Sequence, residues 1–165
     1  MPTFVHDPEL GEYRDGAIRY MMIRPDALMG MIAEMPEAMR PHAMEAFARA
    51  ITRAGGHSAR SYRADDLLRT IEETAPRLGW GIWTLRATDD GLALDVANSP
   101  FAAGAGASPH PVCAPIRGML IAVGEMTVGD VIVTETACAA MGAQCCRFTV
   151  SRAAPPVPAS AALPR

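Results

Sequence analysis

Four side chains in the last third of the chain have the chemistry of a metal site: the thiols of Cys113, Cys138 and Cys146 and the carboxylate of Glu135. Zinc accepts thiolate sulfur at ~2.3 Å and carboxylate oxygen at ~2.0 to 2.2 Å, and it takes four tetrahedral ligands where its role is structural. A complete set leaves no position for water or substrate, so such an ion would brace the chain and do no hydrolysis. Cys138 ends one strand-like run and Cys146 opens the next, and a hairpin brings such strand ends together. Cys145 competes for the last position, because adjacent strand residues point to opposite faces and at most one of the pair can contribute. Spacing leaves that choice open, and it equally admits reduced thiols packed in an apolar core. Three thiolates and a carboxylate would carry excess negative charge, for which Arg117 and Arg147 are the candidate counter-charges.

A second set of residues could wall a site for a hydrophobic molecule. Seven of the eleven methionines fall between Met21 and Met44, and methionine is flexible enough to line an adaptable apolar pocket, although it also fills ordinary helix cores. Met31, Met35, Phe47, Trp80, Trp83 and Phe101 are the candidate ligand-binding residues. His42, His57 and His110 are candidates for a polar or axial contact, but no Cys-x-x-Cys-His run for covalent haem attachment is present.

These residues need elements to position them. Residues 1–15 read as an extended entry segment and 16–23 as a strand that ends before Pro25. Pro25 opens a helix carrying Leu28, Met31, Ile32 and Met35, and Pro36 closes it. A second helix begins near Pro41 with Met44, Phe47, Ala48 and Ile51 on its apolar face, and Gly55-Gly56 reads as its stop. A third spans 64–78, with Leu67, Leu68, Ile71 and Ala75 as its buried stripe.

The periodicity then changes to two. Residues 80–87 and 92–97, joined by Asp89-Asp90-Gly91, read as a β-hairpin with both faces covered. Residues 102–111 read as a loop, and the nearly uncharged 112–125 as a buried helix. Residues 130–136 and 145–151 form a second hairpin through Met141-Gly142-Ala143. The Ala/Pro/Ser composition of 153–165 predicts a disordered tail. The pattern is α+β: one domain over 16–152, with amino-terminal helices packed on an antiparallel sheet of two hairpins and a buried helix between them.

Composition narrows the function. Net charge is −3 and a fifth of the residues are charged, so no basic stripe for nucleic acid is present. No run approaches the ~18 apolar residues of a membrane span, and the polar, acidic start does not read as a secretory signal. A cytoplasmic protein is expected, in which cysteines more often bind metal than pair as disulfides. The glycines of 103–106 lack the lysine and hydroxyl residue of a phosphate loop.

Taken in order, Asn98-Ser99-Pro100-Phe101, His110-Pro111-Val112-Cys113, the apolar helix around Gly118, Glu135-Thr136-Ala137-Cys138-Ala139-Ala140-Met141-Gly142 and Cys146-Arg147-Phe148 resemble the 4-vinyl reductase domain family. The resemblance covers about 55 residues, or about 85 if the Gly79-Trp80-Gly81 hairpin is included. That family occurs in bacteriochlorophyll 4-vinyl reductase proteins and in the sensory domains of phenol-responsive activators. The resemblance implies a ligand-binding fold similar to a Golgi transport-particle subunit and to nitric oxide sensors, commonly dimeric. It also implies that the zinc ligands are Cys113, Glu135, Cys138 and Cys146, with Cys146 in the contested position.

The sequence contains no ATPase module or helix-turn-helix, so a stand-alone domain is expected. The function it suggests is binding of a hydrophobic small molecule, a tetrapyrrole of bacteriochlorophyll biosynthesis or another aromatic, by a homodimer with a structural zinc. Two alternatives stand beside it: a vinyl reductase, for which the sequence shows no dinucleotide, flavin or iron–sulfur motif, and an aromatic-hydrocarbon sensor acting through a partner.

Overall fold

A computed structural model describes residues 4–60, 62–63 and 66–154. The expected start of the third helix at 64 and the expected tail beyond 154 lie outside the described residues. The chain does not enter as an extended segment. It forms a three-stranded antiparallel meander of β1 (Val5–Asp7), β2 (Glu12–Asp15) and β3 (Ile18–Tyr20). Short strands need side-chain help to stay paired. Here His6 stacks on Tyr13 at 4.3 Å, Phe4 meets Tyr20 edge-on at 5.1 Å, and Glu12 bridges Arg14 and Arg19.

Helix α1 (Pro25–Ala33) starts at Pro25, whose fixed φ suits a first helical position. It buries Met29 and Ile32 and turns Met31 outward. Helix α2 (Arg40–Ala59) runs straight through Gly55-Gly56. Both glycines are buried against α5 (Ala114–Thr127), so they serve close helix packing and do not end the helix. At the same interface, a Cβ on Gly118 would lie 2.2 Å from the Ala48 carbonyl oxygen. Thr52 Oγ1 lies within hydrogen-bond distance of the Ala48 and Gly118 carbonyls, at 3.0 and 2.9 Å. Helix α3 (Leu67–Thr74) comes next, burying Leu67, Thr70, Ile71 and Thr74.

The main sheet contains β4 (Ile82–Thr88), β5 (Gly91–Ala97), β6 (Val131–Ala137) and β7 (Cys146–Arg152) in the antiparallel order β4-β5-β7-β6. Both hairpins form, and β5 pairs with β7 to join them. One face carries Trp83, Leu92, Leu94, Val96, Phe148 and Val150, all buried beneath the helices. Burying each such side chain contributes roughly 1.5–3 kcal/mol. The other face carries Ile82, Thr84, Arg86, Arg147 and Thr149 and lies open, so the hairpin is covered on one side only. Part of the expected loop after β5 is also regular: α4 (Pro100–Ala105) begins with Ser99 Oγ accepting from Ala102 N and packs against α1. Among the described residues, no helix is long and apolar enough to cross a membrane.

Candidate metal cluster and ligand cavity

Three separate elements deliver the cluster. Cys113 immediately precedes α5, Glu135 and Cys138 come from the end of β6, and Cys146 opens β7. The β6–β7 pairing carries a one-residue irregularity: Glu135 sits opposite Phe148, yet Ala137 sits opposite Arg147. Such a bulge inserts an unpaired residue and re-aims the side chains beyond it. Cys138 thereby shares the inner side with Cys146, while Cys145 stays partly exposed and outside the cluster.

The ligand atoms of Cys113, Glu135, Cys138 and Cys146 lie within 4.8 Å of one another, so this group could hold a metal ion. All three thiols are buried, and Cys113 Sγ stands 3.5 Å from Cys146 Sγ and 3.3 Å from Ser99 Oγ. The Ala139 backbone N–H donates to Cys146 Sγ at 3.3 Å. Glu135 Oε2 accepts from the Cys113 backbone N–H, whereas Oε1 is buried with no hydrogen-bond partner among the described residues. A buried carboxylate oxygen without a donor is costly unless a cation meets it. That orphaned oxygen and the soft thiol set fit a metal together.

Electrostatics among the four side chains follow from burial and shared hydrogen bonds. The contact with Cys113, reinforced by the Ala139 N–H, brings the Cys146 thiol down to about 6. Burial pushes Cys138 up to about 11 and raises Glu135 above the usual carboxylate value. Cys113 is raised by its bond to Cys146 and by burial. Of the two arginines considered as counter-charges, Arg117 acts on Glu135 and also pairs with Glu45 on α2. Arg147 faces the open side of the sheet and pairs with Asp95 at 3.6 Å.

A cavity of about 420 Å³ lies on the other side of α2 and α5 from these ligands, walled by β3, α2, α3, α5 and the segment leading into β4. Trp80 and Trp83 line it. Phe47 and Phe101 do not reach it; they pack behind as an edge-to-face pair at 6.1 Å, and Phe101 meets Trp80 at 5.3 Å. Met31 is 56% exposed and Met35 lies just past the end of α1, and neither lines the cavity. Helical spacing places Met31 on the stripe with Leu28 and Met35, but the helix is rotated so that Met29 and Ile32 face inward. His42, His57 and His110 are exposed and do not line the cavity.

Sequence reasoning missed Tyr20, Ile51, Gly55, Tyr62, Thr74 and Met119 as wall residues. Gly55 carries a signal, but of packing and not of a helix end: a Cβ there would stand 2.7 Å from Met119 Cε, so the glycine makes room for Met119 beside the cavity. Burial and the charge of Asp15 raise both Tyr20 and Tyr62, which therefore stay protonated phenols.

Residues 92–152 match the family model of the vinyl-4-reductase domain, the 4-vinyl reductase family that the motifs of this region resemble. The fold is similar to that of the phenol-responsive sensory domain of the transcription activator PoxR, solved with phenol. That match has a TM-score of 0.77 at 16% identity and covers 90% of this chain and 84% of that one. A vinyl-4-reductase family protein from Methanocaldococcus jannaschii aligns with a TM-score of 0.55 at 12% identity, covering 84% of this chain and all of that one. Among curated proteins, none matches.

Proposed function

We propose that this chain is a sensory or carrier domain that binds one small hydrophobic molecule in the cavity between β3, α2, α3 and the tryptophan segment, with a structural zinc in the cysteine cluster. The observation that carries the ligand reading is the cavity itself. Binding sites for small molecules are mostly apolar clefts of roughly 300–1,000 Å³ with a few placed polar groups, and this one, at about 420 Å³, is walled by two tryptophans and helix side chains. It lies on a fold shared with a domain solved with phenol.

Its size favours a single-ring or two-ring aromatic. A whole tetrapyrrole, the candidate that the sequence resemblance made most specific, is larger than this space and would leave much of its macrocycle outside. Equilibrium binding of phenol and of a chlorophyllide-like tetrapyrrole, followed through the fluorescence of Trp80 and Trp83, tests the reading. Saturable phenol binding supports it, and retention of the tetrapyrrole alone would replace the single-ring ligand with the macrocycle.

Zinc is the ion that suits three thiolates and one carboxylate, and four protein ligands would leave it closed to substrate. When bound, zinc would supply a cross-link between the start of α5, the end of β6 and the start of β7. Metal analysis of protein purified without added zinc should give about one ion per chain; chain purified free of metal with undiminished stability would count against it.

A further inference from the structure

Thr74 is 8% exposed, lines the cavity, and has no hydrogen-bond partner for its Oγ1 among the described residues. That is unusual for a helical threonine, whose hydroxyl commonly bonds back to the carbonyl four residues earlier. Thr52 and Thr127 in this same chain do so, to Ala48 and Val123, each at 3.0 Å. A buried hydroxyl left unpaired is destabilising, and positions that keep one call for an explanation.

Neighbouring polar groups are committed elsewhere. The indole N–H of Trp83 donates to the Trp80 carbonyl at 3.0 Å, so it is spent within the wall. Arg19, the one charged residue among the described lining, is paired with Glu12 at 3.0 Å. The cavity therefore offers an uncharged apolar space with a hydroxyl set into its α3 side.

We infer that Thr74 is the specificity-determining residue of this cavity: it selects neutral ligands that carry a hydrogen-bonding group over hydrocarbons of the same shape. The inference rests on the cavity being the ligand site. A hydroxyl both donates and accepts, so a phenolic O–H or a carbonyl oxygen would satisfy it. A ligand without such a group would bury Thr74 unpaired, and sites built this way discriminate against the analogue that lacks the polar atom.

Phenol and toluene have nearly the same shape and differ in that group, so their affinities should be measured for the full chain, for Thr74→Val and for Tyr62→Phe. Thr74→Val should weaken phenol binding about three- to tenfold, the range of one hydrogen bond, leave toluene unchanged, and keep or raise the melting temperature. Loss of phenol selectivity in Tyr62→Phe with none in Thr74→Val would overturn the assignment, as would a lower melting temperature in Thr74→Val, which would reveal a structural partner. Binding of both probes with no selectivity anywhere would overturn this inference and leave the cavity reading standing. Binding of neither would remove the cavity reading and this one with it.

Discussion

The Cys113 backbone N–H donates to Glu135 Oε2 at 3.1 Å, which ties the start of α5 to the end of β6 through one oxygen and leaves the other facing the thiols. The two oxygens thus have separate roles. Glu135→Gln keeps an acceptor for Cys113 but removes the charge that a cation would need. The expected outcome is a folded chain whose zinc content falls well below that of the parent. Its melting temperature should also drop, by at least the ~2–4 °C that corresponds to about 1 kcal/mol in a domain of this size. Metal analysis and a thermal melt on the same preparation check both.

Cys138→Ser tests the bulge as well as the ligand. A serine hydroxyl is a far poorer zinc ligand than a thiolate, so bound metal and melting temperature should both fall. Cys145→Ser, which alters the residue beside Cys146 and outside the cluster, should leave both as they were.

The pH dependence of stability should differ between metal-free and metal-loaded protein. In the metal-free state burial raises Glu135 above its ordinary 4.5 and Cys138 from 9.0 to about 11. A raised folded value means that the protonated group is favoured by folding. The contribution is complete below the unfolded value and is lost as pH rises through the folded one. Chelator-treated protein should therefore lose stability from Glu135 as pH climbs past the carboxylate range, and from Cys138 between about 9 and 11. Zinc must displace those protons, so its binding strengthens with pH. The gap in melting temperature between loaded and stripped protein should widen from acid to neutral pH, and a constant gap would contradict the proposed ligand set.

Gly118→Ala places a methyl group 2.2 Å from the Ala48 carbonyl oxygen, a contact with backbone that cannot rotate away. Helix propensity alone would favour alanine, but overpacking costs about 1–3 kcal/mol. The net effect should be destabilisation, read as a lower denaturant midpoint with the slope unchanged.

Gly55→Ala is the contrasting case. The added Cβ would meet only the tip of Met119, which can move, so stability should be held or slightly raised. The displaced Met119 narrows the cavity. Since one methylene in an apolar site is worth about 1–3 kcal/mol, phenol affinity should fall about tenfold in a titration.

Alternation and helical spacing report burial directly, which is why the two hairpins, α2 and α5 are legible in the sequence. The metal cluster is legible because its residue types serve only a few chemistries. Spacing does not reveal the fourth position, because choosing Cys146 over Cys145 depends on the bulge after Glu135, a backbone event with no residue signature of its own. The amino-terminal meander escapes detection because its strands are three or four residues long and mostly polar. Thr74 is invisible for a different reason: a threonine on an amphipathic helix reads as filler until the partners of its hydroxyl are known.

The strand Ile18–Tyr20 belongs to the amino-terminal meander, which is hydrogen-bonded separately from the β4–β7 sheet, yet it forms one wall of the cavity. Anything held there touches both sheets at once. Occupancy is then coupled to the docking of the meander: a saturating guest raises the free energy of detaching it by an amount that grows with the logarithm of guest concentration. Amide exchange along β3 would slow as phenol is added, and the amino-terminal strands would become the part of the molecule whose opening reports whether the cavity is filled.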